Sequence, residues 1–369
     1  MRELSSSTLG DGEKSMTAGY LSDPWPRRAE EQPDDPVAVK VAKRARWQAY
    51  WCGRLGSSLY AELIERVADD IEAGGPFEAL MTDPEIDPLG GLPMLRLMGA
   101  ANRLVLTGRE PDLFAGGWDA LLALAHDRPE ELREHLNRPV QTNEVARSGP
   151  LAAGFLQVAR DTGLPLRLLE VGASAGLNLR FDRYRYETPY GSWGAQDSGV
   201  RLGDFWQEGQ PPYDADLSVV ERRGCDPVPV DPTTDEGRVT LLSYVWADQH
   251  ERVANLQAAL DIARDVPAVV ERTDGRAWIE CELASLPDSA ATVVYHSIVM
   301  PYLSQEERDA FVASVSAAGE RATPESPLAW LRMEYGGEEC ELRLTQWPGG
   351  QERLLATCGF HGRNVVWLA

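Results

Sequence analysis

A short acidic and glycine-rich stretch, residues 170–176, carries the residue types best suited to chemistry in this chain. Glu170 ends an apolar run, and Gly172, Ser174 and Gly176 follow it at every second position. Glycine permits a positive φ and lets a ligand approach the backbone. A carboxylate at the end of a strand can pair with a cation or an amine. The spacing therefore predicts a ligand-binding turn.

The elements around this stretch predict how it is positioned. Residues 166–171 have the composition of a short buried strand, and Leu177, Phe181 and Tyr184 then recur at helical spacing. We predict a strand, a tight turn and a helix whose free N–H groups face the ligand. A turn whose small residues serve only packing is the alternative, because short glycine motifs are weak signals alone.

The sequence E-V-G-A-S-A-G-L-N-L, residues 170–179, resembles motifs of two protein families. Its E-x-G-x-S-x-G part is similar to motif I of the class I S-adenosylmethionine-dependent methyltransferases, with Ser174 in place of the middle glycine. The full wording, which includes Asn178, resembles an uncharacterised bacterial domain family, and that likeness runs from about residue 40 onward. The resemblance implies S-adenosylmethionine as the cofactor. It would be held by the residues Glu170, Gly172, Ser174, Gly176 and Asn178.

The same resemblance implies cofactor residues outside the motif. The segment before motif I often folds over the methionine end of the cofactor, which here gives Asn143, Glu144 and Arg147. A capping segment with a surface ion pair explains those three residues equally well. An acid after the second strand commonly accepts hydrogen bonds from ribose hydroxyls. Asp226 is the first choice for this role and Asp231 the second, although Asp226 could also be an ordinary turn residue.

Two later strand ends supply the remaining candidates. Asp274 follows the third predicted strand, where the resemblance implies a contact with the adenine amino group. His296 ends the fourth, at the position that faces the methyl acceptor in such enzymes. A histidine there could act as a general base, since its ordinary pKa lies near neutrality. A hydrogen-bonded histidine without a catalytic role is the alternative.

The whole chain predicts an α/β fold. We expect a doubly wound, mostly parallel seven-stranded sheet of the Rossmann-like methyltransferase type, with an N-terminal helical domain. Residues 1–36 are polar and rich in Gly and Pro, which predicts a disordered tail. Helical periodicity over 37–163 predicts the helical domain or cap. Residues 164–369 would form the sheet domain, with an insertion at 187–216.

Composition narrows the function. The 369 residues carry a formal net charge of −22, and such a surface repels phosphate backbones, which argues against a nucleic-acid partner. Five scattered cysteines and five scattered histidines fit reduced thiols and predict no metal site. Neither a membrane span nor a secretory signal is visible. We expect a cytoplasmic bacterial protein with a small-molecule or protein acceptor.

Two other functions fit parts of the sequence. G-A-S-A-G matches the G-x-S-x-G nucleophile elbow of the α/β-hydrolases, and the chain order Ser174, Asp274, His361 suits a catalytic triad. Glu170 argues against this hypothesis, because it would put a charge into a strand that normally stays apolar. The third possibility is a methyltransferase-like fold that binds a ligand or partner without catalysis.

Overall fold

The computed structural model describes residues 32–90 and 92–369. Of the tail predicted for residues 1–36, residues 1–31 lie outside the described residues. The described chain begins with helices and reaches its first strand only at Leu166. These helices are α1 (Val37–Arg54), α2 (Ser58–Glu72), α3 (Pro76–Met81), α4 (Pro93–Leu106), α5 (Gly117–Asp127) and α6 (Pro129–Leu136).

Helices α1–α6, here called the helical layer, have a core of their own. In α2 the apolar residues recur on one face, so that Leu63, Val67 and Ile71 are buried together. The Ser57 side chain caps α2 by accepting a hydrogen bond from the backbone N–H of Tyr60. The core also buries residues of α3 to α6 and is completed by Trp246 from the second half of the chain.

The second half of the chain forms a nine-stranded sheet with helices between its strands. The strands of this sheet are β1 (Leu166–Val171), β5 (Trp206–Glu208), β6 (Val219–Asp226), β7 (Val269–Arg272), β8 (Ala291–Ser297), β9 (Leu328–Tyr335), β10 (Cys340–Trp347), β11 (Gln351–Cys358) and β12 (Val365–Trp367). The associated helices are α7 (Ser148–Thr162), α8 (Asp235–Ser243), α9 (His250–Asp265), α10 (Gly275–Glu282) and α11 (Gln305–Gly319).

The prediction of a mixed, mostly parallel sheet is confirmed, but the prediction of seven strands is wrong. The strand order is β5-β12-β11-β10-β9-β8-β1-β6-β7. The strand β5, from within the predicted insertion, pairs with the last strand, β12, and extends that edge of the sheet. Three residues are too few to show an alternating pattern, so the sequence did not reveal β5.

The order of the parallel strands fixes where a ligand would bind. Strands β7, β6, β1, β8 and β9 are all parallel neighbours. Along the chain this is the order 3-2-1-4-5 of a doubly wound sheet, so the direction of winding reverses between β1 and β8. Ligands of such sheets bind at the carboxyl ends of the strands beside that reversal.

Both faces of the sheet are covered. Helices α7 and α9 pack with Leu168 on one face, whereas α10 and α11 pack with Leu169 on the other. Consecutive residues of β1 point to opposite faces, so each face receives its own apolar core. Helix α7 packs in the core of the sheet, whereas α1–α6 pack in a core of their own. Helix α7 nevertheless precedes residue 163, where we predicted the domain boundary. The predicted domain boundary at that residue stays a prediction.

The predicted insertion is structured. Strands β2 (Arg185–Thr188), β3 (Gly191–Gly194) and β4 (Arg201–Leu202) form a separate three-stranded sheet.

The helix predicted after the glycine turn is wrong. Residues Asn178–Arg183 form a 3-10 helix that is interrupted at Arg180. Side chains in this segment donate hydrogen bonds to backbone carbonyl groups, which in an α-helix would accept from backbone N–H groups of the helix itself. Arg180 Nη1 donates to the carbonyl of Gly176 at 2.7 Å, and the Tyr184 hydroxyl donates to that of Leu177 at 2.6 Å. The turn therefore lacks an α-helix with free N–H groups and an aligned dipole.

Candidate functional site

A cavity of about 1210 Å³ lies between the helical layer and the carboxyl ends of β1, β6 and β8. The strand ends contribute Glu170, Asp226 and Ser297 to its lining, and the helical layer contributes Trp51 and Leu95. This volume exceeds the range of about 300–1,000 Å³ that is usual for one drug-sized ligand. The central cavity, as we call it, occupies the position that the strand order indicates.

Glu170 is buried at this cavity with part of its hydrogen-bonding capacity unused. Glu170 is only 3% exposed, and its Oε2 atom has no hydrogen-bond partner in the described part of the chain. Burial raises the pKa of Glu170 to about 8, against the opposing influence of the Tyr295 hydroxyl and Arg180. A carboxyl group in this state would bind a cationic ligand and ionise as it did so.

Asp226 ties the glycine turn to the neighbouring strand. Its Oδ2 atom accepts a hydrogen bond from the backbone N–H of Ser174 at 2.9 Å, and Oδ1 accepts one from that of Val228 at 2.8 Å. Ser174 itself has a φ of +53°. Asp226 lines the central cavity. The second candidate, Asp231, is absent from that lining and bonds the N–H and the hydroxyl of Thr233.

The two glycines of the motif differ in their surroundings. Gly172 lines the cavity and has a φ of +70°, and a Cβ there would lie 2.6 Å from Cγ2 of Val299. Gly176 is absent from the lining, and a Cβ there would lie 2.9 Å from Val270. The missing side chains therefore make room for the protein's own residues, in place of the ligand approach predicted from the sequence.

The segment before β1 contacts the glycine turn. Asn143 Oδ1 accepts a hydrogen bond from the backbone N–H of Leu177 at 3.0 Å, and Asn178 Nδ2 donates to the Glu144 carbonyl at 3.4 Å. Asn143, Glu144 and Asn178 all line the central cavity. The structure thus brings these candidates together with the motif.

Glu144 forms a buried ion pair with a distant arginine. Arg252 Nε donates to Glu144 Oε2 at 2.7 Å, and the two side chains are only 7% and 5% exposed. Burial acts to raise the pKa of Glu144, but Arg252, His361 and Arg147 outweigh it and hold that pKa at about 2. Glu144 is therefore ionised at neutral pH.

Arg147 lines the cavity and is held by backbone carbonyls. Its Nε atom donates to the carbonyl of Phe360 at 3.0 Å, and Nη1 donates to that of Ser297 at 3.2 Å. Within the described chain no carboxylate forms a salt bridge with it. Arg147 is thus a fixed cation that could hold an anionic group of a ligand.

Asp274 lines the cavity but also caps a helix. Its Oδ1 atom accepts hydrogen bonds from the backbone N–H groups of Arg276 at 2.9 Å and Ala277 at 3.1 Å. This bonding fixes the start of α10. One carboxylate oxygen is left for a ligand.

His296 lies in a buried network and is absent from the cavity lining. Trp330 Nε1 donates to His296 Nε2 at 3.1 Å, so the ring proton is on Nδ1, which bonds Glu334 Oε1 at 2.6 Å. Both ring nitrogens are therefore engaged. Catalysis by His296 stays a prediction that this geometry does not support.

The residues proposed for a hydrolase triad are not joined by any of the described hydrogen bonds. The Ser174 hydroxyl donates to the Gln141 side-chain carbonyl at 2.5 Å, and an amide cannot act as a general base. His361 instead packs against Trp246, with ring centroids 5.4 Å apart.

Sequence reasoning missed the aromatic residues at this cavity, among them Trp51, Trp246 and Tyr302. The clustering of tryptophan and tyrosine at residues 47–51 was the available signal. It also missed Arg252, which lies far along the chain from its partner Glu144. No group of metal-binding side chains occurs among residues 32–90 and 92–369. No described helix is long and apolar enough to cross a membrane.

Comparison with known proteins identifies the family. The family described as "Uncharacterized protein conserved in bacteria (DUF2332)" matches residues 42–367, and the chain belongs to it. The resemblance to an uncharacterised bacterial family is thereby confirmed. A solved structure described as "DhpI-SAH complex structure" matches at 10% identity over 74% of this chain and 79% of that chain. Its TM-score of 0.22 is too low to carry an argument. No curated protein matches.

Proposed function

We propose that this member of the family binds S-adenosylmethionine in the central cavity and transfers its methyl group to a small-molecule or protein acceptor. The observation that carries the proposal is the buried Glu170 carboxyl, with its unpartnered Oε2 atom, at the carboxyl end of β1. A cationic ligand would satisfy that atom.

The methionine end of the cofactor matches the charges of the cavity. Glu170 would hold the ammonium group, because a carboxylate and an ammonium form a charge-assisted hydrogen bond. Arg147 would hold the carboxylate of the same ligand. Its present partners are carbonyl groups, so its charge is not neutralised by an acid within the described chain. Asn143 and Glu144 would contribute less to ligand binding than Glu170 and Arg147, since both already bond protein groups.

The nucleoside end would lie towards β6 and β7. Asp226 would accept from the ribose hydroxyls, since each of its oxygens has accepted one backbone hydrogen bond and retains further capacity. Asp274 would accept from the adenine amino group. Ser174 and Gly172 would border the turn between the two ends of the ligand.

The chemistry requires little of the protein beyond alignment. When bound, the cofactor supplies a methyl group that is already activated on a positively charged sulfur. The protein has to orient donor and acceptor and to exclude water. The helical layer covers the strand ends and contributes Trp51 and Leu95 to the cavity, which suits both tasks.

Isothermal titration with S-adenosylmethionine and S-adenosylhomocysteine tests the proposal. We expect the wild type to bind both ligands and Glu170→Gln to bind them at least about tenfold more weakly, because the charge-assisted bond is lost. Glu208→Gln, an exposed change on β5, is the matched control and should bind as the wild type does. A substitution at Gly172 is unsuitable, because any side chain there meets Val299.

A folded wild type that binds neither ligand would overturn the proposal, as would equal affinities in the wild type and Glu170→Gln. Labelling of Ser174 by a fluorophosphonate, absent in Ser174→Ala, would in that case support the hydrolase.

A further inference from the structure

One wall of the central cavity consists of aromatic rings from four separate parts of the chain. The Trp51 ring on α1 meets Phe360 edge-on, with centroids 5.3 Å apart and an interplanar angle of 81°. Phe360 also contacts Tyr335, at 5.0 Å. Next to them, His361 packs against Trp246 at 5.4 Å. We call these five residues the aromatic wall, and all of them line the cavity.

The charged residues of the cavity are mostly acidic. The acids of the lining are Glu144, Glu170, Asp226, Asp274, Glu307, Glu338 and Glu339, against the three arginines Arg54, Arg147 and Arg276. Glu338 and Glu339 are exposed in the turn between β9 and β10. Because Glu170 is protonated at neutral pH and Glu144 is paired with Arg252, five of these acids face the three arginines, and this smaller excess attracts cations and repels anions.

The aromatic wall itself adds no positive charge. Burial, together with Arg252, lowers the pKa of His361 to about 3, although Glu144 acts in the opposite direction. The imidazole is therefore neutral at physiological pH. A cation in the cavity therefore meets no repelling charge from His361.

We propose that the aromatic wall and the acids Glu338 and Glu339 bind the methyl acceptor, and that this acceptor is an organic cation with an aromatic ring. Because the cationic group has no free electron pair, the methyl group would go to an uncharged nucleophilic atom of the same molecule. The bond from that methyl group to sulfur would break as the new bond forms, which leaves S-adenosylhomocysteine, and a proton carried by the nucleophilic atom would be released to water. Ring stacking and cation–π attraction recognise the ring and the charge. Carboxylate and phosphate acceptors are disfavoured by the acids. The assignment of this ligand as the acceptor rests on the proposed function.

Three small probes test the site directly, by titration with and without saturating S-adenosylhomocysteine. Phenethylamine carries an aromatic ring and a positive charge, 3-phenylpropionate carries the ring with a negative charge, and n-butylamine carries the positive charge without the ring. We expect phenethylamine to bind at least about tenfold more tightly than either of the others.

Variants locate the binding. Glu338→Gln with Glu339→Gln, both exposed and therefore safe for folding, should weaken phenethylamine about threefold or more and leave 3-phenylpropionate no weaker. Trp51→Leu should weaken phenethylamine more than n-butylamine. Glu208→Gln removes the same kind of charge far from the cavity and should change nothing.

Equal binding of phenethylamine and 3-phenylpropionate would overturn the inference. So would selective binding that neither Glu338→Gln/Glu339→Gln nor Trp51→Leu reduces. If phenethylamine binds selectively while S-adenosylhomocysteine does not bind, the proposed function fails and the cation site stands. If S-adenosylhomocysteine binds while phenethylamine shows no preference, the cation site alone fails.

Discussion

At the scale of single residues, the proposed cofactor site depends most on the Glu170 carboxyl, which is buried at the cavity. It lies in a strand whose other residues are apolar except Arg167, and burial raises its pKa to about 8. The sequence marked Glu170 as a candidate because of its spacing from Gly172. It could not show that Oε2 lacks a partner, since that depends on β8 and on the loops above the sheet.

Glu170→Gln should change how stability depends on pH. The folded-state pKa of about 8 lies above the ordinary value of 4.5, so the folded protein holds a proton that the unfolded chain releases. This contribution is fully present below pH 4.5 and is lost as the pH rises towards 8, by at most about 1.4 kcal/mol per pH unit. Urea unfolding at several pH values should therefore give a shallower decline for Glu170→Gln. Parallel declines in the variant and the wild type would contradict the account.

The effects of Glu144 and Arg252 on the free energy of unfolding should depend on each other. Glu144→Gln leaves a buried guanidinium without its carboxylate, which should cost about 3–5 kcal/mol of unfolding free energy at pH 7. Glu144→Leu combined with Arg252→Met removes both charges and should be clearly more stable than the single variant. Denaturant unfolding measures both. A double variant less stable than Glu144→Gln would show that the ion pair is not the cause.

The pH dependence of this ion pair has the opposite sign. The pKa of Glu144 is lowered from 4.5 to about 2, so its contribution is present above pH 4.5 and is lost as the pH falls through 2. The difference in stability between the wild type and Glu144→Gln should shrink over that acidic range.

At the scale of elements, the loop after β8 depends on Glu334. The Oε1 atom of this buried carboxylate is bonded by His296 Nδ1 at 2.6 Å and by the backbone N–H of Val299 at 2.9 Å. Ile298 has a φ of +55°, and Val299 packs onto Gly172. Glu334 thus positions one wall of the cavity through the loop at 298–303.

Glu334→Ala should loosen that loop. The backbone N–H groups of Val299 and Met300 lose their acceptor, and their amide hydrogens should exchange about tenfold faster or more. Hydrogen exchange followed by mass spectrometry measures this over residues 298–303. Glu341→Gln on the neighbouring strand is a control that should leave this loop unchanged. Unchanged exchange in Glu334→Ala would refute the positioning role.

The sequence predicted the elements well where a local pattern decides them. Strands β8 and β9 are mostly apolar, and Ser304 and Glu307, spaced as S-x-x-E, form the capping box of α11. It failed after the glycine turn, where the spacing of Leu177, Phe181 and Tyr184 indicated a helix. Hydrogen bonds from Arg180 and other side chains determine the backbone conformation of that segment, and a local sequence pattern cannot predict them.

At the scale of the whole molecule, the helical layer is joined to the sheet half through the end of α8 and the segment after it. The side chain of Asn102 is directed at the carbonyls of Leu242, Ser243 and Val245, at 3.1–3.3 Å. Trp246 then enters the core of the helical layer. These contacts lie far apart in sequence, so the sequence predicted a helical unit but not how it is attached.

Asn102→Leu should weaken this attachment. The change removes the side-chain donor from the carbonyls of Ser243 and Val245 and should cost about 1–3 kcal/mol. Arg103→Gln, the next residue on α4, removes an ion pair to the exposed Glu236 and should cost less than about 1 kcal/mol. Urea unfolding of both variants makes the comparison. Equal costs would show that the Asn102 contacts do not hold the two halves together.

Hydrogen exchange with and without S-adenosylhomocysteine shows most directly whether the cavity at the ends of β1 and β8 binds the cofactor. We predict slower exchange in peptides covering residues 143–147, 170–178 and 297–303, with strands β10 to β12 unchanged. No change anywhere at saturating ligand, or protection confined to segments away from the cavity, would contradict the account.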